Sequence, residues 1–111
     1  MGEIREDPMR QVVTVSNTIT VRSAHLFSDN LLELFNAEQD VDLDLTELAE
    51  VDLAFVEIIY SAREQWARAG RDLRLAQPAG GAVVALLGRA GFLTNLTPQD
   101  LDFWFHGELP Q

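Results

Sequence analysis

The chain reads as an α/β domain, a small mixed β-sheet made of an antiparallel hairpin plus parallel strands, with helices packed against it. Three observations predict this. Short runs with period-2 alternation recur at Gln11–Val15, Val41–Leu45 and Asp72–Ala76, and segments of helical period lie between them. Glycines stand where the helical segments should stop, at Gly70 and Gly91. The resulting order, β-β-α-β-α-β-α, joins the later strands by helical crossovers, which makes them parallel neighbours. At 111 residues the chain is one domain, able to bury roughly two thirds of its unfolded surface.

Taken in order, residues 1–10 are charged and interrupted by Pro8, and are expected to form a flexible start. Gln11-Val-Val-Thr-Val and Thr18-Ile-Thr-Val-Arg flank Ser16-Asn17, which predicts a hairpin with Val13, Val15, Ile19 and Val21 inward. Ser28-Asp29 opens a helix carrying Leu31, Leu34 and Phe35, which closes over Asn36–Asp40. Val41, Leu43 and Leu45 alternate with Asp42 and Asp44 as a strand. The second helix is expected from about Leu53 to Ala69. Val56, Ile59, Tyr60, Arg63 and Ala67 form one stripe on it, and Phe55, Ile58, Ala62 and Trp66 lie beside that stripe. Pro78-Ala-Gly-Gly ends the next strand, and a third helix follows with Val83, Leu86, Leu87 and Ala90 inward.

Thr97-Pro98-Gln99-Asp100 combines a cap residue, a first-position Pro and an acid near the positive end of the helix dipole, predicting a short helix through Trp104. Phe103, Trp104 and Phe105 in succession cannot all face one core from one helix. At least one should be exposed or cover a neighbouring element, so the tail is a candidate contact surface; alternatively the three plug the end of the sheet.

Composition narrows the function. Nearly half of the residues are apolar (47%), which argues for a packed core. With no Cys, disulfides and thiolate chemistry are excluded. A formal charge of −10 predicts repulsion from nucleic acid and anionic lipid, and attraction to basic protein surfaces. All eight cationic side chains are Arg. Glu3, Arg5, Glu6, Asp7 and Arg10 interrupt any secretory leader pattern, and no apolar run approaches the ~20 residues of a membrane span. A cytoplasmic location without membrane insertion is therefore expected. His25 and His106 are far apart and form no ligand-spaced pair.

Catalytic and metal chemistry find little support. Asp40, Asp42 and Asp44 match the opening of a calcium loop, but its sixth and twelfth positions hold Leu45 and Val51 in place of Gly and Glu. Strand alternation would also spread these carboxylates along a face. No Gly-x-Ser-x-Gly elbow is present, and Gly80-Gly81 lacks the further glycines and Lys of a phosphate loop. The sequence predicts no enzyme, no metal and no cofactor.

The chemistry-bearing stretch is Asp44 to Ile59, an apolar strand ending in acids, then Asp52 and an amphipathic helix. With the helix end at Ala69-Gly70, the strand and Pro turn Arg71–Pro78, and the closing helix from Val83 to Leu93, it resembles the STAS domains of sulfate transporters and anti-sigma factor antagonists. The resemblance covers residues 11 to 93, leaving 94–111 as a C-terminal extension packed on the domain. It implies a small mixed sheet with helices packed on one face, and a protein-binding role.

In that family the Asp is followed by Ser or Thr and a Gly, and a kinase phosphorylates one hydroxyl to switch binding off. Here Leu53 and Ala54 take the hydroxyl positions and Phe55 that of the small Gly, so no phosphorylation site remains there. The resemblance implies a partner surface at Glu47, Glu50, Asp52, Leu53, Ala54 and Phe55, with both orientations of Phe55 open: out, as a docking residue, or in, as core. The expected partner is a histidine-kinase-like ATPase or another bacterial signalling protein. The alternatives are the ATPase of a membrane lipid transporter, with this chain as accessory subunit, or a small ligand.

Overall fold

The computed structural model describes residues 10–108. The expected flexible start lies outside them except for Arg10, which opens the first strand. Three strands and four helices follow in the order β1 (Arg10–Ile19), α1 (Ala24–Asn36), β2 (Asp40–Val51), α2 (Leu53–Arg68), β3 (Leu73–Leu75), α3 (Gly81–Arg89) and α4 (Pro98–Phe105). The α/β class, the closing helices and the glycine stops stand as expected: Gly70 and Gly91 take φ of 72° and 84°, where a side chain would be strained.

The described strands pair in parallel in the order β1-β2-β3. Consecutive parallel strands joined by right-handed crossovers place successive helices on one face of the sheet. Accordingly Phe27 of α1 stacks on Phe55 of α2 at 5.5 Å, and Phe35 meets Trp66 edge-on at 5.1 Å further along the same two helices. The core side of the sheet is Val13, Val15, Val41, Leu43, Leu73 and Leu75; the other side shows Arg10, Val12, Asp42 and Arg74.

The expected hairpin is not formed. Residues 10–19 run as one strand parallel to β2, and Ser16-Asn17 continue it in place of turning. Irregularity is taken up by β2 instead. Thr14 pairs with Asp44 but Ser16 with Glu47, and Asn17 pairs with Leu48 but Thr18 with Glu50. Each shift adds one residue to β2, so the inward-facing interval lengthens from two to three, and burial falls on Val41, Leu43, Leu48 and Val51. Val21, expected inward in the hairpin, sits in the turn beyond β1 and is 73% exposed.

Helix α1 begins one turn before the expected Ser28 start. Ser23 precedes it, Phe27 and Leu31 are buried, and Ser28 is an exposed helical residue. On α2 the buried line is Phe55, Val56, Ile59, Ala62 and Trp66, while Ala67 is exposed. Val83, Leu86 and Leu87 of α3 are buried as expected, but Ala90 is exposed beyond the last turn.

All three successive aromatics of α4 are buried, so they serve as core and not as an exposed contact surface. The reason is that α4 lies in a cleft with a different element on each side. The Trp104 carbonyl accepts from Ala79 N–H at 2.7 Å, and its ring packs edge-on to Tyr60. Arg63 of α2 lies over the Phe103 ring, 4.6 Å from its centre, and bonds Asp100 at 2.9 Å.

Candidate functional site

Asp52 is the residue around which the site is built. It follows β2 directly in an extended conformation and caps α2, and its carboxylate reaches both the first turn of α2 and the loop leaving β1. Oδ1 accepts from the Ala54 N–H at 3.0 Å, satisfying one of the free donors of the helix start. Oδ2 accepts from the Val21 N–H, also at 3.0 Å. The Asp52 N–H donates to the Ile19 carbonyl, so main chain and side chain both tie the β1–α1 turn to the start of α2.

Two exposed apolar residues adjoin this clamp: Val21, whose N–H it holds, is 73% exposed, and Leu53, next to Asp52 in the chain, is 46% exposed. Glu47 and Glu50 are exposed on the bulged half of β2, and Ala54 is half-buried. Phe55 turns inward: it is fully buried against Phe27 and belongs to the core. Of the six residues expected at the partner surface, Glu47, Glu50 and Leu53 face solvent, Asp52 organises the backbone, Ala54 receives the cap, and Phe55 supports from beneath.

Val21 and the turn of residues 21–23 were not legible as part of this site. The signal available was Ser23 followed by Phe27, Leu31 and Leu34, a helical spacing that begins one turn earlier than Ser28. Two hydroxyls near the site are engaged: Ser23 donates to the Thr18 carbonyl and accepts from the Thr20 N–H. Thr46 donates its hydroxyl at 2.6 Å and its N–H at 3.0 Å to Asp44 Oδ1, securing the first irregularity of β2. Those two bonds, the hydroxyl's first, hold the Asp44 carboxyl below its ordinary pKa.

The acids at the start of β2 and before β3 are compensated. Arg10 binds Asp42 and Asp72, Arg74 binds Asp42 at 2.9 Å, and Asp40 accepts from the Asp72 N–H. Burial pulls the Arg10 pKa down, but the Asp42 charge and the bonds to Asp72 and Asp42 outweigh it and leave it raised. Among the described residues no group of three or more Asp, Glu or His side chains is placed to hold a metal ion. His25 is exposed, and His106 lies with Nε2 2.9 Å from the Leu75 carbonyl. Gly80 and Gly81 form the turn that starts α3.

A family model described as Mlab, STAS domain, matches residues 3–98. No curated protein matches the chain. The solved structure described as Crystal Structure Analysis of Mglu is similar over 67% of this chain, with a TM-score of 0.56 at 18% identity. The chain spans only 19% of the length of that protein, so the likeness is one of fold.

Proposed function

The chain belongs to the STAS-domain family, and from that premise we propose that it is a non-enzymatic, cytoplasmic regulatory domain of the anti-sigma factor antagonist type. It binds a histidine-kinase-like ATPase or a related signalling protein through the Val21–Leu53 surface. The observation that supports this most is the double acceptance by Asp52, which ties the backbone of exposed Val21 to the helix start that carries exposed Leu53, with Glu47 and Glu50 exposed on the strand before it. An apolar centre with an acidic border suits a partner surface that is apolar and basic. Residues 51–56 offer no hydroxyl, so binding is not switched by phosphorylation there.

That same absence favours a second reading, in which the domain is a permanent accessory subunit bound to the ATPase of a lipid transporter. No helix of the described residues is long and apolar enough to cross a membrane, so in this reading the domain docks on a membrane complex through protein contacts.

Affinity capture of the tagged protein from its native lysate, with Leu53→Asp as control, tests both. A signalling kinase recovered with the wild type and lost with the variant supports the first reading; a transporter ATPase moves the assignment to the second. Equal recovery by both proteins would show that the Val21–Leu53 surface is not the contact.

A further inference from the structure

Among the described residues, β3 is an edge strand whose outer side has a defined hydrogen-bonding pattern. Val41 N–H bonds the Asp72 carbonyl and Ala76 N–H bonds the Leu43 carbonyl. In a parallel ladder this turns the main-chain groups of Arg74 toward β2, and those of Leu73 and Leu75 outward. The Leu75 carbonyl is taken by His106. Among the described residues, the N–H and C=O of Leu73 have no hydrogen-bond partner. Beside this edge runs an open groove of about 1160 Å³, walled by Tyr60, Arg63 and Trp66 of α2 and by Phe103 and His106. Leu53 and Val21 do not line it.

We propose that β3 pairs antiparallel with β3 of a second copy of this chain, about a two-fold axis at Leu73, continuing the sheet across a homodimer. Two observations select this occupant and this register. An axis at Leu75 would need the carbonyl that His106 holds, and an axis at Arg74 would set Arg against Arg. An axis at Leu73 forms both main-chain bonds between the two Leu73 residues. It also places Asp72 opposite Arg74 of the second copy, and Arg74 opposite Asp72, so the charges match twice. Asp72 holds Arg10 and Arg74 holds Asp42 within the chain, yet both side chains stay more than half exposed, at 65% and 56%, so the new pairs extend an existing row of alternating charge across the sheet. Exposed ion pairs add little energy but fix the register. The strand is three residues long, so the contact is modest and concentration-dependent.

Sedimentation equilibrium on the full chain tests this, with Asp72→Arg and Arg74→Asp measured separately and as an equimolar mixture. The wild type is expected to approach twice the 12.4 kDa of one chain as concentration rises. Each variant alone sets like charges together and stays at the single-chain mass, while the mixture matches every pair and dimerises again. A wild type that remains at the single-chain mass up to about 1 mM overturns the proposal. So does a dimer indifferent to both substitutions, or a mixture that stays monomeric. If a variant loses its cooperative melt, hydrogen exchange on the wild type decides. The Leu73 amide should be protected at high concentration and exchange on dilution, and fast exchange under dimeric conditions overturns the pairing.

Discussion

Replacing Asp52 by Ala removes two acceptors in one step, and the two have separable costs. Loss of the Oδ1 bond to Ala54 N–H uncaps α2, worth about 1 kcal/mol. Loss of the Oδ2 bond to Val21 N–H frees a donor that lies at the surface, where water replaces the carboxylate, worth about 0.5 kcal/mol. The sum, about 1.5 kcal/mol, corresponds to a fall in Tm of about 6 °C for a domain of 111 residues. Asp52→Asn separates the two contributions. Its single carbonyl oxygen can keep the cap, but its amide N–H₂ cannot accept from Val21, so only the smaller cost of about 0.5 kcal/mol is expected. Urea denaturation should show both midpoints lowered at unchanged m-value, since neither substitution alters the surface exposed on unfolding. Hydrogen exchange should report faster opening at Val21 in both variants and at Ala54 only in Asp52→Ala. If Asn falls as far as Ala, the contribution comes from the negative charge on the helix dipole and the double acceptance is not its source. If neither variant moves the midpoint, Asp52 does not clamp the turn.

Other substitutions probe the surface, the core and the α4 cleft. Leu53→Asp places a carboxylate in the first turn of α2, and stability should stay within about 0.5 kcal/mol of wild type by urea denaturation while partner capture is lost. Phe55→Ala should cost about 3–5 kcal/mol by the same assay, because it empties a fully buried site stacked on Phe27. A loss under 1 kcal/mol would contradict its place in the core. Asp100 is opposed by burial, but the Arg63 bond, the Tyr60 hydroxyl, the Arg63 charge and Thr97 outweigh it and keep its folded pKa lowered. Its contribution is therefore complete above the unfolded value near about 4 and is lost as pH falls through the folded pKa. Asp100→Asn should cost about 1–2 kcal/mol at pH 7, a difference that disappears in acid; a constant difference across pH would refute the pairing. Ending the chain after Leu96 removes three buried aromatics and uncovers Tyr60, and calorimetry should show no cooperative transition.

How far the fold was legible depends on whether a signal was local. The cap at Thr97, with its side chain accepting from Asp100 N–H, and the glycine stops are properties of a few neighbouring residues, and they stand where the pattern put them. The strand through Val41 and Leu43 follows from period-2 alternation for the same reason. The hairpin failed because Ser16-Asn17 has turn chemistry but turns only if its flanking runs pair with each other. Here β2 offers a parallel partner along the whole of residues 10–19, and irregularities at Leu45–Thr46 and Ala49 absorb the mismatch. At the site, Asp52 and Leu53 were readable from the strand-to-helix junction. Val21 was not, because its place depends on a hydrogen bond between residues 31 positions apart.

The sequence by itself determined the α/β class, the glycine stops at Gly70 and Gly91, the Thr97 cap, the acidic composition and the absence of a hydroxyl directly after Asp52, since each depends on residue type or short spacing. Tertiary structure alone decided which apolar residues are surface and which are core. Phe55 and Leu53 lie two positions apart on one helix, about 200° around its axis, and only the placement of α1 beside α2 sends Phe55 to the interior and leaves Leu53 outside. The same holds for the aromatics of α4, which no single face could bury and which α2 on one side and the segment at Ala79 on the other enclose. Burial is a property of the assembled set of elements, so no local pattern carries it in full.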